Sequence, residues 1–170
     1  MINLIFFSAV FVIYLIFGFY WLYAMKAGAP YYPSSKKAIK ELSAFINQKK
    51  LRNGVELGSG DGRISLAITK IPDVKMLSIE INPMLTIIHR FFKLILRRKQ
   101  NLIVNTNFFK LNYSQFDFAI MYLYPGTMKK LEDKLFQEMK SGSYLISNTF
   151  KFYQHQPIQT LNNKIFIYQV

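Results

Sequence analysis

The chain has 170 residues, enough for one domain and a small appendage, and no cysteine, which excludes disulfides, thiolate metal sites and cysteine nucleophiles. Its two histidines, His89 and His155, stand far apart with no acidic cluster beside them, so no metal centre is expected. Lys and Arg outnumber Asp and Glu by 22 to 9, and the excess is densest just after residues 1–25, which carry no charge. That placement suggests an anionic lipid surface ahead of nucleic acid, which is an unlikely partner on this reading.

Residues 1–25 predict a membrane anchor. Ile2 to Tyr23 is apolar on all sides, and a helix of that length, at about 1.5 Å per residue, spans a hydrocarbon layer of about 30 Å. Tyr20, Trp21 and Tyr23 sit at its C-terminal end, followed by Lys26, Lys36, Lys37 and Lys40, so the positive-inside rule puts the rest of the chain in the cytoplasm. A bacterial-type inner or cell membrane is the expected location. The rival is a cleaved signal peptide ending at Ala27-Gly28-Ala29, but the apolar run is too long and lacks a basic start. Residues 26–53 then form a linker and a capping helix. Pro30-Tyr31-Tyr32-Pro33 is held extended by its prolines, Ser34 or Ser35 can cap the next helix, and that helix, Lys36–Lys49, puts Ile39, Leu42 and Ile46 on one face.

Residues 54–170 read as the main domain. Val55-Glu56-Leu57 is a strand, Gly58-Ser59-Gly60-Asp61-Gly62 a turn, and Ile64 to Ile68 an apolar helix. Glycines at every second position let the backbone take positive φ and approach a ligand closely. The phosphate-binding P-loop is excluded, because no Gly-Lys-Ser/Thr follows, and the dinucleotide fingerprint fails where Arg63 replaces its third glycine. Val74–Ile79 is the second strand, and Glu80 at its tip stands where Rossmann-like folds bind a ribose diol. Pro83 opens a helix, Met84–Lys99, whose closing Arg97-Arg98-Lys99 reads as a cap and solvated face; His89 within it reads as surface or packing. Leu102–Val104 is a short third strand followed by Asn107-Phe108, and Phe118–Leu123 is a central fourth strand, with Asp117 as its starting residue rather than a catalyst. Met128, Leu131, Leu135 and Met139 mark the core stripe of the next helix, Tyr144–Asn148 is strand five, and Phe150–Val170 closes as an antiparallel hairpin around Asn162-Asn163.

The acid-x-Gly-x-Gly-x-Gly wording of Glu56 to Gly62 resembles motif I of the seven-strand methyltransferases that bind S-adenosylmethionine. Four segments in order narrow this: Pro30-Tyr31-Tyr32-Pro33, Glu56 to Ile64, Glu80-Ile81-Asn82-Pro83, and Tyr122-Leu123 with Pro125 and Met128. Together with the apolar N-terminus they resemble the membrane-anchored protein lysine methyltransferases of the ADP/ATP translocase and the ATP synthase c-subunit, and their bacterial relatives. The resemblance implies a class I, Rossmann-like α/β fold, a mostly parallel sheet with an antiparallel C-terminal hairpin, plus one N-terminal transmembrane helix. It implies S-adenosylmethionine as cofactor and methylation of a lysine on a membrane protein at the bilayer. Glu56, Gly58, Ser59, Gly60, Asp61 and Gly62 would hold the methionyl part, Glu80 the ribose, and Asn107 with Phe108 the adenine, although relatives commonly carry Asp where Asn107 stands. Tyr31 and Tyr122 are the candidates for the methyl-transfer mouth; core or membrane-facing aromatics is the plainer reading of both. A methyltransferase of a lipid, quinone or other small membrane molecule, and a membrane-tethered scaffold without activity, remain the alternatives.

Overall fold

A computed structural model describes residues 5–15, 18 and 32–170. Residues 5–15 are helical, and among the described residues no helix is long and apolar enough to cross a membrane. Of the span expected over Ile2–Tyr23, residues 2–4, 16, 17 and 19–23 lie outside the described residues, and so does the mouth residue Tyr31. The chain divides into two compact units, Met1–Tyr32 and Pro33–Val170.

The second unit is a twisted sheet covered on both faces. Its elements are α1 (Lys36–Gln48), β1 (Asn53–Leu57), α2 (Arg63–Ile68), β2 (Lys75–Glu80), α3 (Pro83–Ile95) and β3 (Asn101–Asn105). After a single 3₁₀ turn (Phe108–Lys110) come β4 (Phe118–Met121), α4 (Pro125–Glu138), β5 (Tyr144–Asn148), β6 (Gln159–Leu161) and β7 (Ile165–Gln169). Among the described residues the strands form one seven-stranded sheet in the order β3-β2-β1-β4-β5-β7-β6. Strands β1 to β5 run parallel, and β7 enters antiparallel beside β5 with β6 outside it. The strand order reverses between β1 and β4, so the crevice at their carboxyl ends is where this topology receives a ligand.

Side-chain alternation on each strand sorts the core into two layers. Val55, Leu57, Ala119, Met121 and Leu145 pack on the α4 side with Met128, Leu131 and Leu135, the stripe expected of that helix. Phe118, Ile120, Ile146 and Ile167 point the other way, against Leu42 and Ile46 of α1 and Ile64 and Ile68 of α2. Ser35 caps α1 by accepting the Ala38 N–H, as expected. Asp117 accepts the N–H groups of Arg52 and Asn53 at 3.1 and 2.8 Å and pairs with Lys140, tying together the starts of β1 and β4. The closing hairpin turns through Asn162, Asn163 and Lys164, with Leu161 paired to Ile165 and both asparagines at positive φ (49° and 55°).

The chain takes no full helix between β3 and β4, nor between β5 and β6. Buried Glu132 of α4 organises the second of these crossings. Its carboxylate accepts the N–H groups of Tyr153, Gln154 and His155 and pairs with the His155 ring. Burial alone would raise its pKa, but these bonds outweigh burial and hold it below the ordinary carboxylate value.

Candidate active site

The glycine turn leaves β1 at the topological switch point. Gly58, Gly60 and Gly62 all have positive φ (72°, 56° and 81°), which explains their alternate spacing. The turn is stitched to the neighbouring strand, because the Gly58 and Ser59 N–H groups both donate to the Ile79 carbonyl at 2.9 Å. Gly58 also faces Leu123 so closely that a Cβ there would lie 3.0 Å from its methyl group.

Glu80 lies at the tip of β2, buried beside the turn. One carboxylate oxygen accepts the Gly60 N–H and the other the Asn82 N–H, each at 2.8 Å. It therefore fixes the height of the turn and the entry to α3 at once. Each oxygen has a second lone pair, so the same carboxylate can accept from a diol. Asn82 completes the entry as the N-cap of α3, its side chain accepting the Met84 N–H. Asp61 binds Arg63 through both carboxylate oxygens, and Arg63 reaches the Ser34 carbonyl at 3.3 Å. Asn148, at the end of β5, donates to the Ser34 hydroxyl at 3.3 Å, so the segment before α1 is fastened over the carboxyl ends of the strands.

Glu56 points away from the crevice, beneath α2. Its carboxyl meets the Ser65 N–H at 3.1 Å and the Ser65 hydroxyl, supplying the cap that the N-cap residue, Gly62, has no side chain to give. Burial pushes its pKa up to about 8, against the lowering effect of the Ser65 bonds, so Glu56 is protonated near neutral pH. From there a chain of buried side chains runs under the turn. Ser65 meets Ser78 at 2.7 Å, Ser78 meets the Asn101 carbonyl oxygen at 2.8 Å, the Asn101 amide donates to His89 Nε2 at 2.8 Å, and His89 Nδ1 faces the Ser59 hydroxyl at 3.4 Å. Burial lowers the His89 pKa to about 4, so the ring is neutral, and the Asn101 bond places its proton on Nδ1. His89 belongs to the packing, as one of the two sequence readings has it, but as a buried wedge under Gly62 rather than helix surface. The sequence reading assigned no role to Ser65, Ser78 and Asn101; their signal is a polar residue at an inward position of an otherwise apolar element.

On the far side of the crevice, Asn107 caps the 3₁₀ turn, its carbonyl oxygen accepting the Phe109 N–H at 3.0 Å, and Phe108 packs partly buried against the core. Tyr122 and Tyr124 follow β4 and gather around Phe150, with ring centroids 6.4 and 6.2 Å from it. The structure thus brings Glu80, the turn, Asn107, Phe108 and Tyr122 to the carboxyl ends of the strands, while turning the Glu56 carboxyl below them. An open cavity of about 660 Å³ lined by Asn53, Lys75, Gln100, Leu102 and Gln115 lies at the opposite, amino ends of the strands. It is on the wrong side for a ligand of this topology.

A strand order with this reversal, a glycine turn carrying no phosphate motif and an acid at the tip of β2 define a class I methyltransferase fold. Its likeness to solved structures agrees. An RNA methyltransferase from Salinibacter ruber, in complex with S-adenosyl-L-homocysteine, superposes with a TM-score of 0.74 at 21% identity, over 81% of this chain and 93% of that one. Residues 56–159 match the family described as the ANTKMT methyltransferase domain, and the chain belongs to that family; it is an S-adenosylmethionine-dependent methyltransferase. A protein-lysine N-methyltransferase of Saccharolobus islandicus is 24% identical, covering 83% of this chain and 93% of the relative. The ATP synthase C-subunit lysine N-methyltransferases of Mus musculus and Xenopus laevis are 26% and 28% identical over 82% and 72% of this chain. The chain spans about half the length of these two vertebrate relatives, 56% and 54%.

Proposed function

We propose that this methyltransferase modifies lysine side chains of a membrane protein, from a cytoplasmic domain tethered to a bacterial-type cell membrane by residues 1–25. The observation that carries the lysine reading is the family match across the cofactor site, together with relatives that are named as lysine methyltransferases. The uncharged apolar N-terminus and the lysines after it support the tether.

The donor set fits S-adenosylmethionine. A carboxylate rather than a cation sits at the tip of β2, which suits ribose hydroxyls and would repel a phosphate. Glu80 accepts from the ribose while holding Gly60 and Asn82 in place. The backbone from Gly58 to Gly62, with Ser59 and Asp61, receives the methionyl end, and Glu56 shapes that end from below. The Asn107 carbonyl oxygen retains a lone pair for the adenine amino group, beside Phe108. Bound there, S-adenosylmethionine supplies an electrophilic methyl group. Tyr122 lines the mouth and orients the lysine amine through its ring face and hydroxyl. An amine of ordinary pKa about 10.4 must enter neutral, and an aromatic, partly desolvated mouth favours that form.

Incubating membranes with the enzyme and methyl-labelled S-adenosylmethionine tests the assignment. Label in protein, mapped to lysine by mass spectrometry and lost from cells lacking the gene, is the expected result. Label that extracts into organic solvent while protein stays unlabelled would replace lysine with a lipid or quinone acceptor, and no label in either fraction would leave a scaffold. Release of the full chain from membranes by high salt would overturn the anchor, since a spanning helix does not respond to screening.

A further inference from the structure

Helix α3 is built inside out. Its buried side carries Thr86 and His89 as well as Leu85, whereas Ile87, Phe91, Leu94 and Ile95 face outward with 57–77% of their surface exposed. Met84, Ile88 and Phe92, each about 40% exposed, fill the same side. At about 100° per residue these seven positions occupy one continuous arc of about 160°, opposite the side that packs on β2 and β3, with no polar residue inside it. A helix normally turns such an arc inward, and a contiguous apolar patch left outside marks a contact surface.

The charges around the arc identify the partner. Exposed Arg90 borders it, Arg97, Arg98 and Lys99 close the C-terminal end, and residues 83–99 hold no acid. A second copy of the chain would bring like charges together around the same face, which opposes pairing. An anionic bilayer surface satisfies both features: the apolar arc enters the acyl boundary by about 5–10 Å, while Arg and Lys stems lie along it with their charges among the headgroups. We infer that α3 is an interfacial helix through which the catalytic domain itself lies on anionic lipid, independently of residues 1–25. Because α3 starts immediately after Glu80-Ile81-Asn82, this seating also holds the cofactor turn close to the headgroups.

The absence of native cysteine allows a direct test in the full chain. Phe91→Cys and, at an exposed position of α4, Gln137→Cys are each labelled with an environment-sensitive fluorophore. Both are reconstituted with phosphatidylcholine vesicles with and without phosphatidylserine, some carrying bromine on the acyl chains. The expected result is a blue-shifted emission and quenching by brominated lipid at position 91 and not at 137, strengthened by phosphatidylserine. Adding Arg90→Gln to the position-91 variant should weaken that quenching's dependence on phosphatidylserine, by about fivefold in apparent affinity for one charge. A water-like emission at 91 in every vesicle overturns the inference. So does equal quenching at both positions, and so does a label at 91 already shielded without lipid, which would mean that another part of the chain or a second copy covers the face. The label reports contact at α3 and not attachment of the chain, so failure here leaves the tether untouched.

Discussion

Alanine at Gly62 and alanine at Gly142 make a matched pair that isolates what lies beneath the cofactor turn. The two glycines have nearly the same backbone, φ +81° and +85°, so each substitution bears the same left-handed penalty of about 1–2 kcal/mol. Around Gly142 a Cβ meets nothing within 4 Å, and that penalty is the whole cost. At Gly62 the Cβ would lie 2.0 Å from the His89 ring. The ring is fully buried and held by Ser59 and Asn101, so it can retreat only by giving up both bonds, each worth about 0.5–1.5 kcal/mol. Gly62→Ala should therefore cost about 2–5 kcal/mol in total, against about 1–2 for Gly142→Ala. Urea midpoints followed by circular dichroism on identical preparations measure the difference, provided the slopes agree. Combining Gly62→Ala with His89→Ala should recover at least about 1 kcal/mol relative to additivity, because the truncated side chain leaves room for the Cβ. Equal destabilisation by the two glycine variants, or strict additivity in the double variant, would refute the wedge.

Glu80→Gln leaves one acceptor for Gly60 or Asn82 but removes the charge proposed to receive the ribose; calorimetry should show a loss of about 1–3 kcal/mol in S-adenosylmethionine binding, about 5- to 150-fold. The pH dependence of stability should carry the mark of Glu56. The folded carboxyl keeps its proton to about pH 8 while the unfolded one loses it near 4.5, so its stabilising contribution is complete below 4.5 and is lost as pH rises towards 8, by at most about 1.4 kcal/mol per pH unit. His89 works in the opposite sense between about 4 and 6.5, where the unfolded ring is protonated and the folded one is not. The two offset each other between 4.5 and 6.5, and the decline between 6.5 and 8 should flatten in Glu56→Gln; an unchanged slope in denaturant midpoints over that window would show that Glu56 is already ionised.

The architecture was legible because its signals are local. Glycine spacing, the acid ending β2, Pro83 opening its helix, and Asn162-Asn163 between two extended runs each act within a few residues. Pro83 and the apolar residues after it also located α3, but they do not report which way its apolar side faces. Only the packing of Thr86 and His89 against the sheet, with Ile87, Phe91 and Leu94 outside, shows the inversion. The crossing from β5 to β6 lacks a helix for a reason equally remote in sequence. Glu132 satisfies three backbone donors of the segment 153–155, some twenty positions further on, which lets an irregular stretch cover the sheet.

The direction of Glu56 was written in the strand itself. Val55 and Leu57 enter the core layer beside α4, so alternation sends Glu56 to the other face, where α2 lies. An acid buried there is tolerable because it is protonated and bonded to Ser65, and Ser65 needs Ser78, which needs Asn101, which needs His89. Each member would be costly alone, and the set is stable because every buried donor finds an acceptor. Its route explains its presence: the chain starts on β1, visits α2, β2, β3 and α3, and ends on Ser59 inside the turn. Three positive-φ glycines give that turn little rigidity of their own. The backbone bonds to Ile79 and the Glu80 bond to Gly60 fix it from the side, and the polar chain fixes it from beneath. A turn held in that way keeps its shape before a ligand arrives, so less of the binding free energy goes to ordering it. The acid of that motif, Glu56, is thus placed beneath the glycine turn, at the start of the chain of bonds that holds it.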